Sequence, residues 1–332
     1  MPKGSFTVGK VPPETLNRTV YTHTGKPNRR LLLGPGIGRD VAAVGADPIL
    51  ILTTDPVTGT STRIGEHSVY VNANDIATAG AKAVWYLCTI LLPPGSTEKT
   101  LGELMKGIDG ASRKLGITVA RGHTEVTRGL DRPVIVGFMI GEKQGRILRA
   151  RDARVGDMIL LTKSAGIEGT AILASDYADR LKRVPAKLLR RARLFSREIS
   201  VAKEALVLSK IPGVRVLHDP TEGGVLNACW ELGEAARLGI EVWADKIPVS
   251  EETETICSRL RLNPLKLMSS GCLLAIVAPK AVDRAVRLLG KARVSASVIG
   301  IMTTRANGRK YTLKGKRSEL MPVPSDELYK LA

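Results

Sequence analysis

Hydrophobic positions in the first 140 residues alternate between short apolar runs, typical of strands, and longer stretches in which apolar residues recur at helical spacing. The clearest helix places Leu101, Leu104, Ile108 and Leu115 on one face and ends at Gly116. The pattern predicts strands at Val41–Val44, Ile49–Leu52, Lys82–Leu92, Thr118–Val126 and Pro133–Ile140, and helices at Glu66–Ala79 and from the capping pair Ser96-Thr97 to Gly116.

A second set of elements follows the polar and basic segment Glu142–Gly156. We therefore predict two domains, residues 1–148 and 149–332. Strands and helices are mixed without a regular βαβ repeat, which favours an α+β fold over a doubly wound sheet. In the second domain the pattern predicts strands at Asp157–Thr162, Val214–Leu217, Ile240–Ala244, Cys272–Ala278 and Ala296–Met302. It predicts helical stretches between the first two of these strands, and helices at Gly223–Arg237 and around Val282–Leu289.

Length and composition fit this picture. The 332 residues are 43% hydrophobic but only 4% aromatic, so the cores must consist mainly of Val, Ile, Leu and Ala. The longest apolar stretch, Val84–Leu92, is too short to span a bilayer, and the first residues lack a signal peptide's apolar region. We expect a cytoplasmic protein.

The four cysteines lack disulfide or metal-ligand spacing, which favours buried, reduced thiols.

The formal net charge of +18 raises the alternative of nucleic-acid binding. Residues 180–210 contain a dense basic stretch, but no nucleic-acid module or interleaved aromatic residues accompany it. A solvated basic helix face is the favoured interpretation, and we do not expect a nucleic-acid partner. Such a charge also attracts phosphorylated ligands.

Candidate chemistry begins with a glycine-rich run, Gly34-Pro35-Gly36-Ile37-Gly38, followed by Asp40 and then by Asp55 and Asp75. Glycines let backbone N–H groups approach a phosphate closely, and aspartates can hold Mg²⁺ against phosphates. Each feature alone is more typical of a turn or a cap. The run matches neither a P-loop nor the GxGxxG dinucleotide motif.

Six motifs in order resemble those of the AIR-synthase-like superfamily, and within it those of the hydrogenase-maturation HypE branch are the most similar. They cover nearly the whole chain, which makes the set more specific than any member. The motifs are GPGIGRDVAAVG (34–45), TTDPVTG (53–59), NANDIATAGAKAV (72–84), GHTEVT (122–127), HDPTEGGVLNACWELGEAARLGIEV (218–242) and LNPLKLMSSGCLLAIV (262–277).

The resemblance implies an N-terminal mixed sheet with helices that forms a homodimer and binds ATP and Mg²⁺ near the interface, covered by a C-terminal α+β sandwich. It also implies a small-molecule acceptor and a maturation-protein partner. Carried over by position, Asp40, Asp55 and Asp75 hold the metal. The nucleotide would contact Gly34, Gly36, Gly38, Asp55, Gly122, Thr124 and Glu125.

Acid–base chemistry has two candidate pairs, His123 with Glu125 and His218 with Asp219, of which we select His123 and Asp219 as catalytic candidates. Either histidine could instead complete a local hydrogen bond. A phosphate or a substrate group could bind at a further set of residues close to two helix N-termini. This set is Gly166, Glu168, Gly169 and Thr221. The alternative for residues 166–169 is a glycine turn in which Glu168 complements the helix dipole.

Departures from the HypE pattern affect the expected activity. Arg39, His123 and Glu222 replace residues of different charge, and the chain ends at Leu328–Ala332 without that branch's reactive cysteine. We expect a Mg-ATP-dependent enzyme of the ligase, lyase or phosphotransferase type that phosphorylates or dehydrates an amide- or carbamoyl-type oxygen. The alternatives are a non-catalytic nucleotide-binding maturation or scaffold protein, another superfamily enzyme acting on a phosphorylated purine-type substrate, and RNA binding by the basic helix.

Overall fold

The structure is a computed structural model that describes residues 13–15, 17, 28–34, 36–58 and 63–331. Its strands are β1 Leu31–Leu33, β2 Ala42–Val44, β3 Leu50–Val57, β4 Ala81–Leu92, β5 Thr118–Val126, β6 Val134–Lys143, β7 Met158–Thr162, β8 Val214–His218, β9 Gly239–Trp243, β10 Leu274–Val277, β11 Ala296–Thr303, β12 Arg309–Leu313 and β13 Lys316–Glu319. Its α-helices are α1 Pro13–Thr15, α2 Ile64–Thr78, α3 Glu98–Leu115, α4 Ile167–Asp176, α5 Ala186–Leu194, α6 Ala202–Ser209, α7 Gly224–Ala236, α8 Glu251–Leu260 and α9 Val282–Lys291.

Each strand and helix predicted above has a counterpart within about two residues at most ends, and the α+β class is confirmed. Helix α3 begins where Thr97 Oγ1 accepts a hydrogen bond from the Thr100 N–H, and it ends at Gly116 in the left-handed region. Strands β1, β12 and β13 and helices α1 and α8 were not predicted, because their short or charged segments carry little periodicity.

The first sheet has the strand order β1-β2-β3-β6-β4-β5, and α2 and α3 cover one of its faces. The side chains beneath these helices, among them Tyr86, Ile90 and Met139, are buried. The opposite face carries the cross-strand pairs Leu87–Phe138 and Trp85–Ile140, whose four side chains are only half-buried. This face is therefore apolar without being covered by a helix of the described chain.

The second sheet has the order β13-β12-β9-β11-β7-β10-β8. Alternate residues of its central strands point to opposite faces, where α6 and α9 pack on one side and α7 on the other. Strand β10 is antiparallel to both β7 and β8, and β11 is antiparallel to both β7 and β9. Strands β7, β8 and β9 therefore run in the same direction, and their C-terminal ends lie at the same end of the sheet. The loops at this end of the sheet meet the first domain.

Helix α2 lies between the sheet of the first domain and the second domain, and nearly all of its residues are buried. Asn74 donates from Nδ2 to the Ile199 carbonyl (2.9 Å) and accepts from the Val201 N–H at Oδ1 (2.8 Å). The two domains are thus connected by buried hydrogen bonds as well as by the chain. No helix in the described ranges is long and apolar enough to cross a membrane.

Candidate active site

A cavity of about 540 Å³ lies where the glycine run, β3 and α2 meet the loop after β8 and helix α7. Part of its wall is the C-terminal segment Pro322–Pro324, which the sequence did not predict. Its lining residues are Pro13, Glu14, Gly36, Ile37, Gly38, Arg39, Asp40, Thr53, Thr54, Asp55, Asp75, His218, Asp219, Thr221, Asn227, Trp230, Glu231, Pro322, Val323 and Pro324.

The three aspartates predicted to hold a metal, Asp40, Asp55 and Asp75, all line this cavity together with Asp219. Burial, followed by the charges of the other three, raises the pKa of Asp75 well above its usual value. Thr53 Oγ1 lies 2.7 Å from Asp75 Oδ2 and 3.0 Å from the Asp40 carbonyl. One hydroxyl proton serves one acceptor, so a protonated Asp75 can donate to Thr53 while Thr53 donates to Asp40.

Asp219 follows β8 directly and is almost fully buried. Burial and then the Asp40 charge raise its pKa to about 7, although the neighbouring His218 charge opposes this. Its Oδ2 atom is buried and has no hydrogen-bond partner among the described residues. Ligand atoms of Asp40, His218 and Asp219 lie within 4.8 Å of one another. Converging carboxylates with an unsatisfied oxygen are a donor set that suits a hard divalent cation such as Mg²⁺.

His218 is held between carboxylates of the two domains. Its Nδ1 lies 2.8 Å from Asp40 Oδ2, and its Nε2 lies 3.0 Å from Glu231 Oε2 of α7. Burial alone lowers the pKa of His218, but the two carboxylates raise it well above the usual value. The imidazolium donates from both nitrogens, so His218 positions Asp40 and has no free nitrogen to act as a base in this arrangement.

The backbone of Asp55 is fixed by Asn72 of α2, a residue that the sequence did not single out. Asn72 Oδ1 accepts from the Asp55 N–H at 3.0 Å, and Asn72 Nδ2 donates to the Ser68 carbonyl at 2.8 Å. Gly137 leaves the space for this side chain, since a Cβ there would lie 2.3 Å from Asn72 Nδ2. The only signal in the sequence was the position of Asn72 in the NANDIATAG run.

The glycine candidates divide between the cavity and its surroundings. Gly36 and Gly38 line it, whereas Gly34 does not. Gly38 adopts a φ of 63°, and a Cβ there would lie 2.7 Å from the Cβ of Ala235 in α7. Close packing of the two domains therefore requires glycine at this position.

The residues proposed for a second phosphate or substrate group also divide. Thr221 lines the cavity, but Gly166, Glu168 and Gly169 at the beginning of α4 do not. Glu168 is buried, which raises its pKa to about 7; a hydrogen bond with Ser270 opposes this shift. A Cβ on Gly169 would lie 2.4 Å from Leu267 Cγ, so glycine at this position allows α4 to pack closely against Leu267.

Gly122, His123, Thr124 and Glu125 lie on β5, an edge strand with all nine residues exposed, and none of the four lines the cavity. His123 Nε2 is 3.1 Å from Glu125 Oε2, with the histidine side chain 65% exposed. Hydrogen bonds from Thr127 and from His123 lower the pKa of Glu125. Within one chain, these four residues therefore lie outside the cavity that the four aspartates line.

All four cysteines are buried free thiols, as the sequence predicted. Burial raises the pKa of Cys229 and of Cys257 to about 12, so neither is a ready nucleophile.

Comparison with known families supports the same organisation. The N-terminal domain of AIR synthase related proteins matches residues 49–142, and their C-terminal domain matches residues 154–311. The chain belongs to the AIR-synthase-related family. Two relatives place this AIR-synthase-related chain close to HypE. A hydrogenase expression/formation protein of Methanocaldococcus jannaschii is 28% identical over 279 residues, 82% of this chain and 80% of that protein. The carbamoyl dehydratase HypE of Azotobacter vinelandii is 31% identical over 252 residues, 71% of this chain and 69% of that protein.

Solved structures show the same fold for the AIR-synthase-related chain. HypE in a complex with HypF has a TM-score of 0.76 at 20% identity, and the match covers 93% of this chain and 99% of that chain. HypE in complex with ATP has a TM-score of 0.72 at 22% identity, with 96% of each chain covered. At this level of identity the likeness supports the two-domain α+β architecture.

Proposed function

We propose that this protein is a Mg-ATP-dependent enzyme that transfers the γ-phosphoryl group of ATP to an amide- or carbamoyl-type oxygen, phosphorylating or dehydrating the acceptor. The convergence of Asp40, Asp55, Asp75 and Asp219 on one cavity carries the proposal. The relatives named carbamoyl dehydratase, and the HypE structure with ATP, support it.

A bare triphosphate would be repelled by the acidic groups that converge on this cavity, so the cavity is suited to nucleotide only together with a divalent cation. Mg²⁺ held by Asp40, Asp55 and Asp75 would neutralise the phosphates and the charge that develops during transfer. Gly36 and Gly38 would present backbone groups to the nucleotide. His218 and Asn72 keep Asp40 and Asp55 in place.

The acceptor oxygen would attack the γ-phosphorus, and ADP would leave. In the dehydration variant the transferred phosphoryl group then departs as phosphate with the former carbonyl oxygen, and the acceptor nitrogen loses its protons. Asp219 is the proposed proton acceptor, because its pKa of about 7 suits proton transfer near neutral pH. His123 stays a weaker candidate, since it lies outside the cavity of its own chain.

Calorimetric titration with ATP, with and without Mg²⁺, tests the nucleotide site. We expect binding only with Mg²⁺, and a loss of at least about tenfold in Asp75→Asn, which removes one carboxylate near the metal. Asp283→Asn on the exposed side of α9 is the matched control. Equal Mg-ATP affinity in wild type and Asp75→Asn would refute the proposed metal site.

The second candidate is a nucleotide-binding maturation or scaffold protein without turnover. The surroundings of Asp40 favour it. Asp40 Oδ2 already accepts a hydrogen bond from His218, and Arg39 lies beside Asp40 in the cavity wall. Following ADP and phosphate during incubation with ATP, Mg²⁺ and carbamoyl, formyl-amidine or phosphorylated purine-type acceptors separates the candidates. Binding without acceptor-dependent ADP would favour the scaffold.

We also propose that the chain forms a homodimer through the helix-free face of the first sheet, and that a maturation protein is a further partner, as for HypE with HypF. Half-buried apolar pairs on β4 and β6 support the homodimer, because a sheet face of this composition is usually covered. The exposed residues Gly122–Glu125 on neighbouring β5 would then lie near the second copy.

A further inference from the structure

A second cavity, of about 730 Å³, opens where loops at the C-terminal ends of β7 and β9 face the end of α3. The first domain contributes Lys114 and Leu115, and the second contributes Lys163 after β7 and the segment Pro248–Ser250. The cavity shares no lining residue with the candidate active site.

Five cationic side chains line this cavity against only two carboxylates, Glu198 and Glu204. Lys163 is already engaged, with Nζ 2.8 Å from Glu204 and hydrogen bonds to two backbone carbonyls. Arg197 and Arg293 are exposed, and neither forms an ion pair with another described residue. The remaining positive charge favours an anion, in contrast to the acidic cavity of the candidate active site.

An apolar slot of about 220 Å³ adjoins the basic cavity and shares Lys114, Leu115 and Lys203 with it. Apart from Lys82, its other walls are small or aliphatic: Ala73, Ala77, Ala81, Ala83, Ile117, Ala202 and Leu206. Such a slot would accept a flat ring or a short acyl group, which could lie with its charged end among the cations.

We propose that the basic cavity and the apolar slot form one binding site for a small organic phosphate, with its apolar part in the slot. Helix α2 is a wall of both this site and the candidate active site. Ala73 and Ala77 face the slot, while Asp75, roughly 200° around the helix from Ala73, faces the nucleotide cavity.

Calorimetric titrations in EDTA test the site with three probes: phenyl phosphate, inorganic phosphate and phenol. Without a divalent cation, the aspartates of the candidate active site repel phosphate, so binding there does not contribute. We expect phenyl phosphate to bind about tenfold more tightly than inorganic phosphate, because its ring leaves water, and phenol to bind too weakly to detect. Equal affinity for the two phosphates, or no binding of either, would overturn the proposal.

Two variants separate the parts of the site. Arg197→Gln with Arg293→Gln should weaken both phosphates about tenfold, whereas Arg287→Gln on α9, an exposed cation away from the cavity, should not. Ala202→Leu should fill the slot and remove the advantage of phenyl phosphate without changing inorganic phosphate. Ala83→Leu serves the same purpose if the first variant unfolds. Unchanged affinities in the arginine variants would contradict the proposed headgroup position.

A final titration distinguishes this site from the nucleotide site. Prior saturation with Mg-ATP should leave the affinity for phenyl phosphate within about twofold of its value in EDTA. Displacement of phenyl phosphate by Mg-ATP would show that both ligands use one cavity, and the proposal would fall. Failure of Mg-ATP to bind would count against the proposed function and leave the phenyl phosphate result unaffected.

Discussion

Asp219 illustrates how a residue can oppose folding and still favour a ligand. Its carboxyl group is buried among other aspartates, and burial raises its pKa from the ordinary value of 3.8 to about 7. The folded chain therefore retains a proton that the unfolded chain has released. The associated stability is greatest below about pH 4 and is lost as pH rises towards 7.

Replacing Asp219 by Asn should therefore stabilise the protein in EDTA by about 4 kcal/mol at pH 8 and by about 2 kcal/mol at pH 5. Thermal unfolding of both proteins at the two pH values measures this. Asp131→Asn at an exposed position is the control and should change stability equally at both. Parallel pH profiles for wild type and Asp219→Asn would contradict the assigned pKa. Addition of Mg²⁺ at pH 8 should raise the melting temperature of wild type more than that of the variant.

At the scale of elements, the site depends on how closely α2 crosses the first sheet. Gly137 of β6 gives Asn72 the room to hold Asp55, and Gly141 of the same strand lies beneath Ile76, where a Cβ would be 2.3 Å from Ile76 Cγ2. The sequence pattern gives α2 its length and burial. The pattern does not show that two glycines of a strand about 60 residues later determine how closely the helix approaches the sheet.

Gly137→Ala should push Asn72 away from Asp55, lower the free energy of unfolding by about 1 to 3 kcal/mol and weaken Mg-ATP binding. Gly145→Ala is a matched control, because a Cβ there meets no atom within 4 Å. Chemical unfolding and ATP titration of the two variants provide the test. A Gly137→Ala protein as stable as the control would show that α2 can shift without loss.

Helix α7 depends on the far end of the chain for its N-terminal cap. It begins after Gly223, whose N–H donates to Asp326 Oδ2 at 2.7 Å, and Asp326 Oδ1 accepts from the Leu328 N–H at 2.8 Å. Glycine itself offers no side-chain acceptor. The C-terminal segment therefore completes α7 and forms part of the cavity wall.

Asp326→Ala should leave these N–H groups without partners and destabilise the fold by about 1 to 2 kcal/mol. It should also weaken Mg-ATP binding, because Pro322–Pro324 would lose its anchor. Glu319→Ala, on the exposed strand β13, is the comparison. If thermal melting and nucleotide titration give the same values for both variants, Asp326 does not anchor the segment.

At the scale of the whole molecule, the exposed apolar face of the first sheet favours a dimer. Leu87→Glu with Phe138→Glu places two charges on that face and should convert a dimer of twice the 35.6 kDa chain mass into monomers. Val286→Glu on α9 replaces another exposed apolar residue and should leave the dimer intact. Light scattering after gel filtration distinguishes these outcomes. A monomeric wild type at micromolar concentration would overturn the proposed homodimer.

The sequence alone determined most of the elements and the family. Strand and helix periodicities are local, so the run from Thr97 to Gly116 specified α3 without any knowledge of its neighbours. The order of the six motifs identified the AIR-synthase-like fold. It also selected Asp40, Asp55 and Asp75, which the structure brings to one cavity.

Only the tertiary structure decided which side chains meet across the domains. His218 contacts Asp40, 178 residues earlier, and Asp326 caps a helix that begins 102 residues earlier at Gly224. No local pattern encodes such contacts, because they depend on how two complete domains pack. The same packing left Gly122–Glu125 on an exposed edge and enclosed the basic cavity beside α2.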